Sequence, residues 1–152
     1  MYRLVLLLHS WLRWVALIAG IGATFTAMRG TGGPSSDSRL DRWGMALVTA
    51  LDVQLLLGLL LYVAVSPNMA EIRANFGASM QDPIARFWAV EHITMMIVAV
   101  VVAHVGRVLG RKAATPESKR MKLFICFGIA TVMMLLAIPW PGMRAGRPLF
   151  RF

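Results

Sequence analysis

Four long apolar runs constrain this chain more than any other feature of its sequence. They cover approximately residues 4–28, 43–65, 84–109 and 121–138. A helix needs about 20 mostly apolar residues to cross the hydrocarbon core of a bilayer, and each run meets or approaches that length. We therefore predict an all-α integral membrane four-helix bundle, with both termini on the same side. Residues 1–152 would form a single transmembrane domain.

Turn-forming and polar residues separate the runs. The stretch from Gly30 to Ser38 is rich in Gly, Ser and Pro, a composition that predicts a loop. Proline disfavours a helical residue before it, so Ser66-Pro67-Asn68 should end the second run. Pro83 suits the first turn of the third helix, and the connection before it is long enough for a short interfacial helix. The stretch from Arg111 to Lys122 predicts a basic loop before the fourth run.

The composition leaves little room for anything except the membrane domain. Hydrophobic residues make up 58% of the chain and the mean hydropathy is +0.66, so no separate soluble catalytic domain fits. The formal net charge of +9 would suggest a nucleic-acid partner in a soluble protein. Here the basic residues lie between apolar runs, where they face lipid headgroups. We expect the lipid bilayer as the partner and no nucleic acid.

The distribution of basic residues predicts the orientation of the chain. Apart from Arg13, the basic residues lie between the apolar runs or near their ends, nine on the side of the two short loops and six on the terminal side. The nine are Arg29, Arg39, Arg42, Arg107, Arg111, Lys112, Lys119, Arg120 and Lys122, and the six are Arg3, Arg73, Arg86, Arg144, Arg147 and Arg151. Cytoplasmic loops carry the excess of Lys and Arg, so both termini should lie outside the cytoplasm.

Two histidines inside the runs predict a site. Ionisable residues within a membrane span are costly and by default indicate function. His9 and His92 each lie a few residues inside the same end of spans that run in the same direction. At about 1.5 Å per residue, the two imidazoles should lie at nearly the same depth. Two level histidines on different helices are what axial ligation of a haem iron requires.

Four further ionisable residues lie inside the runs. Arg13 follows His9 by one turn and shares its face, and a buried guanidinium needs an anion. Glu91, Asp52 or a haem propionate could supply that anion; an ion pair that only fixes helix register is the alternative. Asp52 could instead be a protonated, hydrogen-bonded carboxyl group. His104 lies about 18 Å beyond His92 along the axis, so it is a ligand of another site, a proton-relay group or an interfacial histidine.

The residues alone leave three interpretations of the histidines open. They could bind haem, bind another metal, or make interhelical hydrogen bonds, which are worth about 1 kcal/mol in membranes. The single cysteine, Cys126, lies within an apolar run and has no Cys-x-x-Cys partner. We interpret it as a packing residue.

Three segments of the chain resemble a known group of proteins. They are residues 8–14 (Leu-His-Ser-Trp-Leu-Arg-Trp), residues 86–92 (Arg-Phe-Trp-Ala-Val-Glu-His), and Ile138-Pro139-Trp140-Pro141 with Gly146-Arg147-Pro148. Together they resemble little-characterised bacterial four-helix membrane proteins labelled cytochrome b-like. The resemblance extends over the whole chain. It implies haem b, electron transfer and a multi-pass protein of the bacterial inner (cytoplasmic) membrane, where the count of basic residues predicts that both termini are periplasmic.

The resemblance also implies which residues form the site. The matching motifs point to His9, Arg13, Glu91 and His92. One position departs from the pattern, because relatives often have a histidine in the second span where this chain has Asp52. If that histidine is a haem ligand in the relatives, its absence from this chain weakens the haem interpretation.

Three functions follow as hypotheses. The first is a small b-type cytochrome-like subunit that holds one haem b between spans one and three through His9 and His92, with Arg13 beside it. This subunit would pass electrons within a larger membrane complex. The second is a haem-free accessory or assembly subunit of a respiratory or photosynthetic complex, with other membrane proteins as partners. The third is a quinone- or porphyrin-active enzyme, which no catalytic signature distinguishes.

Overall fold

The computed structural model describes residues 1–30 and 34–150 and confirms the all-α membrane bundle. Within that part of the chain, four helical segments are long and apolar enough to cross a bilayer. They are Tyr2–Arg29, Asp37–Val65, Pro83–Arg111 and Pro116–Ala137. Four crossings return the chain to its starting side, so the two ends of the described chain lie at one end of the bundle.

The described chain contains seven α-helices and two π-helical turns. In chain order they are α1 (Tyr2–Arg29), α2 (Pro34–Leu60), a first π-turn (Leu61–Val65), α3 (Pro67–Ala74), α4 (Phe76–Ser79), α5 (Pro83–Arg86), a second π-turn (Phe87–Glu91), α6 (His92–Arg111) and α7 (Pro116–Ala137). The first π-turn extends α2 to the end of the second span, and the second π-turn joins α5 to α6 within the third. The short helices α3 and α4 occupy the long connection.

Two helices begin earlier than the sequence predicted. The helix α2 begins at Pro34, inside the predicted loop from Gly30 to Ser38, and residues 31–33 of that loop lie outside the described residues. The helix α7 begins at Pro116, so the predicted loop from Arg111 to Lys122 is reduced to residues 112–115. Proline is favoured in the first turn of a helix. The Thr115 side chain also accepts a hydrogen bond from the Ser118 backbone N–H and caps α7.

The four long helices pack in a ring. Contacts join α1 to α2, α2 to α6, α6 to α7 and α7 to α1, so α1 and α6 lie diagonally across the bundle. A stripe of buried alanines on α1 faces the core, at spacings of three and four residues: Ala16, Ala19, Ala23 and Ala27. Large buried side chains fill the space beside it, namely Leu47 and Leu51 of α2 and Phe127 of α7. Small residues let neighbouring membrane helices approach closely.

Charged side chains join three helices at the end of the bundle opposite the termini. Asp41 of α2 accepts a hydrogen bond from Lys119 Nζ of α7 at 2.9 Å. The Arg107 guanidinium of α6 lies 3.7 Å from the same carboxylate. This cluster marks one polar boundary of the bundle.

The outer surface between the two ends is apolar. Leu4, Ile18, Leu56, Val101 and Leu136 are each more than half exposed. Exposed side chains of this kind, on helices of spanning length, suit contact with a lipid bilayer.

Candidate ligand-binding site

His9 and His92 face each other across the diagonal of the bundle. His9 lies on α1, and His92 is the first residue of α6. Their ring centres are 6.4 Å apart, and the ring planes are inclined at 67°. The structure thus brings together the two histidines that the depth argument placed at one level.

The local backbone around His92 is unusual. The second π-turn, Phe87–Glu91, comes directly before it, and the first π-turn, at the end of the second span, lies opposite. The Tyr62 hydroxyl of the first turn donates a hydrogen bond to the Ala89 carbonyl of the second at 2.9 Å. Single π-helical turns within α-helices are frequent at functional sites. Here they tie the second and third spans together just beside His92.

The end of α7 fixes the orientation of the His92 ring. The last carbonyls of a helix have no partner within the helix, and the Ala137 carbonyl lies 2.8 Å from His92 Nδ1. A carbonyl can only accept, so we assign the ring proton to Nδ1. This tautomer leaves Nε2 unprotonated, with a lone pair for a ligand or metal.

Three buried polar atoms around the pair have no hydrogen-bond partner within the described residues. They are His9 Nδ1, Gln54 Oε1 and Trp88 Nε1. The amide nitrogen of Gln54 is used, since it donates to the His9 backbone carbonyl at 3.0 Å. Gly58 of α2 lies against His9, because a Cβ added there would be 3.1 Å from His9 Cε1. Buried polar groups are nearly always hydrogen-bonded, so these atoms indicate a site for a bound molecule or water.

Two cavities meet at the histidine pair. The larger, of about 130 Å³, extends towards Tyr62 and Ser66. The smaller, of about 70 Å³, extends towards Arg13. Their shared lining residues are Leu6, His9, Gln54, Trp88, His92, Met96 and Arg147. A molecule bound between the histidines would therefore have space on both sides of the pair.

Aromatic and basic groups complete the lining. The Trp88 ring lies 5.6 Å from the His92 ring, and the Arg147 guanidinium lies 5.3 Å from the Trp88 ring centre. Arg147 borders both cavities and Arg13 borders the smaller one. The site combines two imidazoles, a largely apolar wall and two permanent positive charges.

The two carboxylates that were proposed as partners of Arg13 contact other side chains. Arg13 donates to the Leu149 carbonyl of the C-terminal tail at 2.6 Å. Glu91 pairs with Arg86 at 2.9 Å, and both of these side chains are almost half exposed. The expectation that Glu91 is a buried partner of the site was therefore wrong, because its side chain points outward from the second π-turn.

Asp52 and His104 also lie away from the histidine pair. Asp52 Oδ1 and His104 Nε2 are 2.8 Å apart, and both side chains are almost half exposed on the outside of α2 and α6. Neither side chain is buried, and the prediction of Asp52 as the buried partner of Arg13 was wrong. Asp52 and Gln54 are two residues apart on α2, so they point in different directions, and Gln54 is the one that faces inward.

Sequence reasoning missed Gln54, Trp88 and Arg147 as site residues. Gln54 carried a usable signal, because it is a polar side chain inside a span, and it is in fact buried. Trp88 lies four residues before His92, a spacing that places side chains on one helix face. Nothing in the sequence indicated that the tail would fold back and bring Arg147 to the cavities.

The number of metal-binding side chains limits which metal centres the site could hold. Within residues 1–30 and 34–150, no group of three His, Cys, Asp or Glu side chains is placed to hold a metal ion. Structural zinc sites use four protein ligands and catalytic ones three, whereas haem iron takes axial ligands from its two faces.

No protein-family model, curated protein or solved structure matches this chain. The geometry of the site is therefore the basis for assigning a function.

Proposed function

We propose that this chain is a small b-type cytochrome-like membrane subunit that binds one haem b between its first and third spans. The observation that carries the proposal is the 6.4 Å separation of the His9 and His92 rings. A metal ion lies about 2 Å from an imidazole nitrogen. Two axial imidazoles therefore have ring centres about 6 Å apart, close to the observed value.

The surroundings of the pair also support the proposal. The tautomer assigned to His92 leaves Nε2 with a free lone pair, and His9 Nδ1 has no partner within the described chain. The haem ring would occupy both cavities, since the histidines lie where they meet. Haem carries carboxylate groups, and the guanidinium groups of Arg13 and Arg147 border the cavities. Such groups suit carboxylates in shape and charge.

The chemistry of this subunit would be electron transfer. A bound haem supplies the one-electron redox couple, and the protein tunes it through axial ligands, burial and nearby charge. Positive charge from Arg13 and Arg147 would favour the reduced state of a haem held there and would raise its reduction potential. The short loops leave no soluble domain in the described chain, so electrons would pass to other subunits of a complex in the bacterial inner membrane.

An absorption spectrum of the detergent-purified chain, produced with added haem precursor, tests the proposal. We expect a Soret band, and we expect His9→Ala and His92→Ala each to weaken or abolish it. His104→Ala is the matched control, because it removes a histidine from the same spans but away from the site. Absence of a Soret band, or a band that survives the double substitution of His9 and His92, would exclude haem at this pair.

A second candidate is a haem-free accessory subunit of a larger membrane complex. The bond between His92 Nδ1 and the Ala137 carbonyl favours it, because that bond already joins α6 to α7. Interhelical hydrogen bonds in membranes contribute about 1 kcal/mol. In this case the purified chain has no Soret band, and His92→Ala lowers its melting temperature in detergent.

A further inference from the structure

Two ionisable side chains form a pair on the lipid-facing side of the bundle. Asp52 of α2 and His104 of α6 are joined by the 2.8 Å contact between Oδ1 and Nε2. Their side chains are 45% and 49% exposed. The pair lies on the outer surface, away from the cavities that His9 and His92 line.

The pair lies at the depth of the hydrocarbon core. Asp52 is near the middle of the Asp37–Val65 span, fifteen residues from its beginning and thirteen from its end. His104 is seven residues before the end of the Pro83–Arg111 span, or about 10 Å along the axis. Helical side chains tilt towards the N-terminus of their helix. Because α2 and α6 run in opposite directions, the two side chains converge at an intermediate depth.

Lipid is an unsuitable neighbour for this pair. The exposed residues around it are apolar: Val53 and Leu56 on α2, and Val101, Val105 and Val108 on α6. Ionisable groups inside a membrane almost always face protein or a water-filled cavity, because hydrocarbon offers no hydrogen bonds. Each residue of the pair makes one hydrogen bond within the described chain, which leaves Asp52 Oδ2 and His104 Nδ1 without a partner there.

We propose that a second copy of this chain covers this face and forms a two-fold symmetric dimer in the membrane. When one proton lies between Oδ1 and Nε2 and a second is on Nδ1, either as an ion pair or as neutral Asp and His, the unused groups are the Asp52 Oδ2 acceptor and the His104 Nδ1–H donor. In this protonation state the pair is complementary to itself, and the dimer requires it. A two-fold axis along the membrane normal places the pair of the partner at the same depth. The donor of each copy then meets the acceptor of the other. The valines of α6 supply the packing surface around these bonds.

Disulfide cross-linking in membranes tests this dimer. In a Cys126→Ala background, which removes the only cysteine of the chain, Val101→Cys and Val105→Cys each introduce a thiol beside the pair. Oxidation should give a covalent dimer at one or both positions, because a residue near a two-fold axis lies close to its own copy. Ile21→Cys is the control, since it is exposed on α1, diagonally across the bundle from α6.

A second pair of substitutions tests the role of Asp52 and His104. Replacing both by leucine in the Val101→Cys chain keeps the surface apolar and removes the polar bonds. We expect the fraction of cross-linked dimer to fall by about tenfold, while size-exclusion chromatography shows that the monomer stays folded.

Three results would overturn the proposal. The first is cross-linking at Val101 and Val105 no stronger than at Ile21. The second is cross-linking to a different protein in place of a second copy. The third is a dimer that the double leucine substitution leaves unchanged, because the Asp52–His104 pair would then have no part in it.

Discussion

At the scale of single residues, Arg13 ties the first span to the C-terminal tail. Its guanidinium donates to the Leu149 carbonyl, and the Trp14 indole N–H donates to the same oxygen at 3.3 Å. Phe150 stacks on the Trp14 ring at 5.5 Å. A permanent charge inside the span is thus used to hold the tail against α1, beside the smaller cavity.

Replacing Arg13 by leucine should release the tail. A hydrogen bond from a charged group contributes about 1.5–3 kcal/mol, so we expect a loss of stability of that size in thermal unfolding in detergent. Trypsin should also cleave the tail faster after Arg144. Arg13→Lys should restore part of the stability, because lysine keeps the charge and loses the planar donor geometry.

Arg3→Leu is the control for this substitution. It removes a basic residue from the exposed beginning of the same helix and should leave the tail protected. If Arg13→Leu melts and is cleaved like the unaltered chain, the bond to Leu149 does not hold the tail.

At the scale of helices, the two π-turns set the position of His92. They extend the second span and interrupt the third at the same level, and the Tyr62 hydroxyl joins them through the Ala89 carbonyl. A π-turn inserts an extra residue into a helical turn, so it changes the direction in which the following residues point. His92 is the first residue after this change.

Tyr62→Phe should loosen the contact between the two turns. It removes one hydrogen bond and leaves the ring, so we expect a loss of about 1 kcal/mol in the free energy of unfolding. If haem is bound, the position of its absorption bands should shift as well. Tyr2→Phe removes the other tyrosine hydroxyl of the larger cavity, outside the π-turns, and should change neither measurement. Equal effects of the two substitutions would argue against a specific role for the Tyr62–Ala89 bond.

The spans and the histidine pair were predictable for a simple reason. The length of an apolar run and a fixed rise per residue determine which residues share a depth, and this brought His9 and His92 together. The contact between Asp52 and His104 was not predictable in this way. It depends on how each helix is rotated about its own axis, which the packing of all four helices decides. The beginning of α7 was missed because its capping residues, Thr115 and Pro116, are polar or turn-forming and resemble a loop.

At the scale of the whole molecule, the orientation in the membrane stays a prediction. The nine-to-six count of basic residues favours cytoplasmic short loops. Two of the nine, Arg107 and Lys119, lie within reach of the Asp41 carboxylate. On the terminal side Arg86 pairs with Glu91, so discounting these ion-paired residues leaves seven against five.

Reporter fusions decide this orientation. Alkaline phosphatase fused after Phe152 should be active, because that enzyme folds only outside the cytoplasm, and a green fluorescent protein fused there should be dark. A fusion truncated within residues 112–115 should give the opposite pattern. Fluorescence from the fusion after Phe152 would reverse the orientation and keep the four-span bundle.

The position of the tail has a consequence for the order in which the site is built. His9 leaves the ribosome more than 120 residues before Ala137, Pro139 and Arg147. Until α7 has entered the membrane, His92 Nδ1 lacks its carbonyl acceptor. Until the tail folds back, the smaller cavity lacks the part of its wall that Pro139 and Arg147 form. A molecule that occupies this site is therefore enclosed only after Arg147 has been synthesised, and ribosomes that stop before the tail release a bundle with an open pocket.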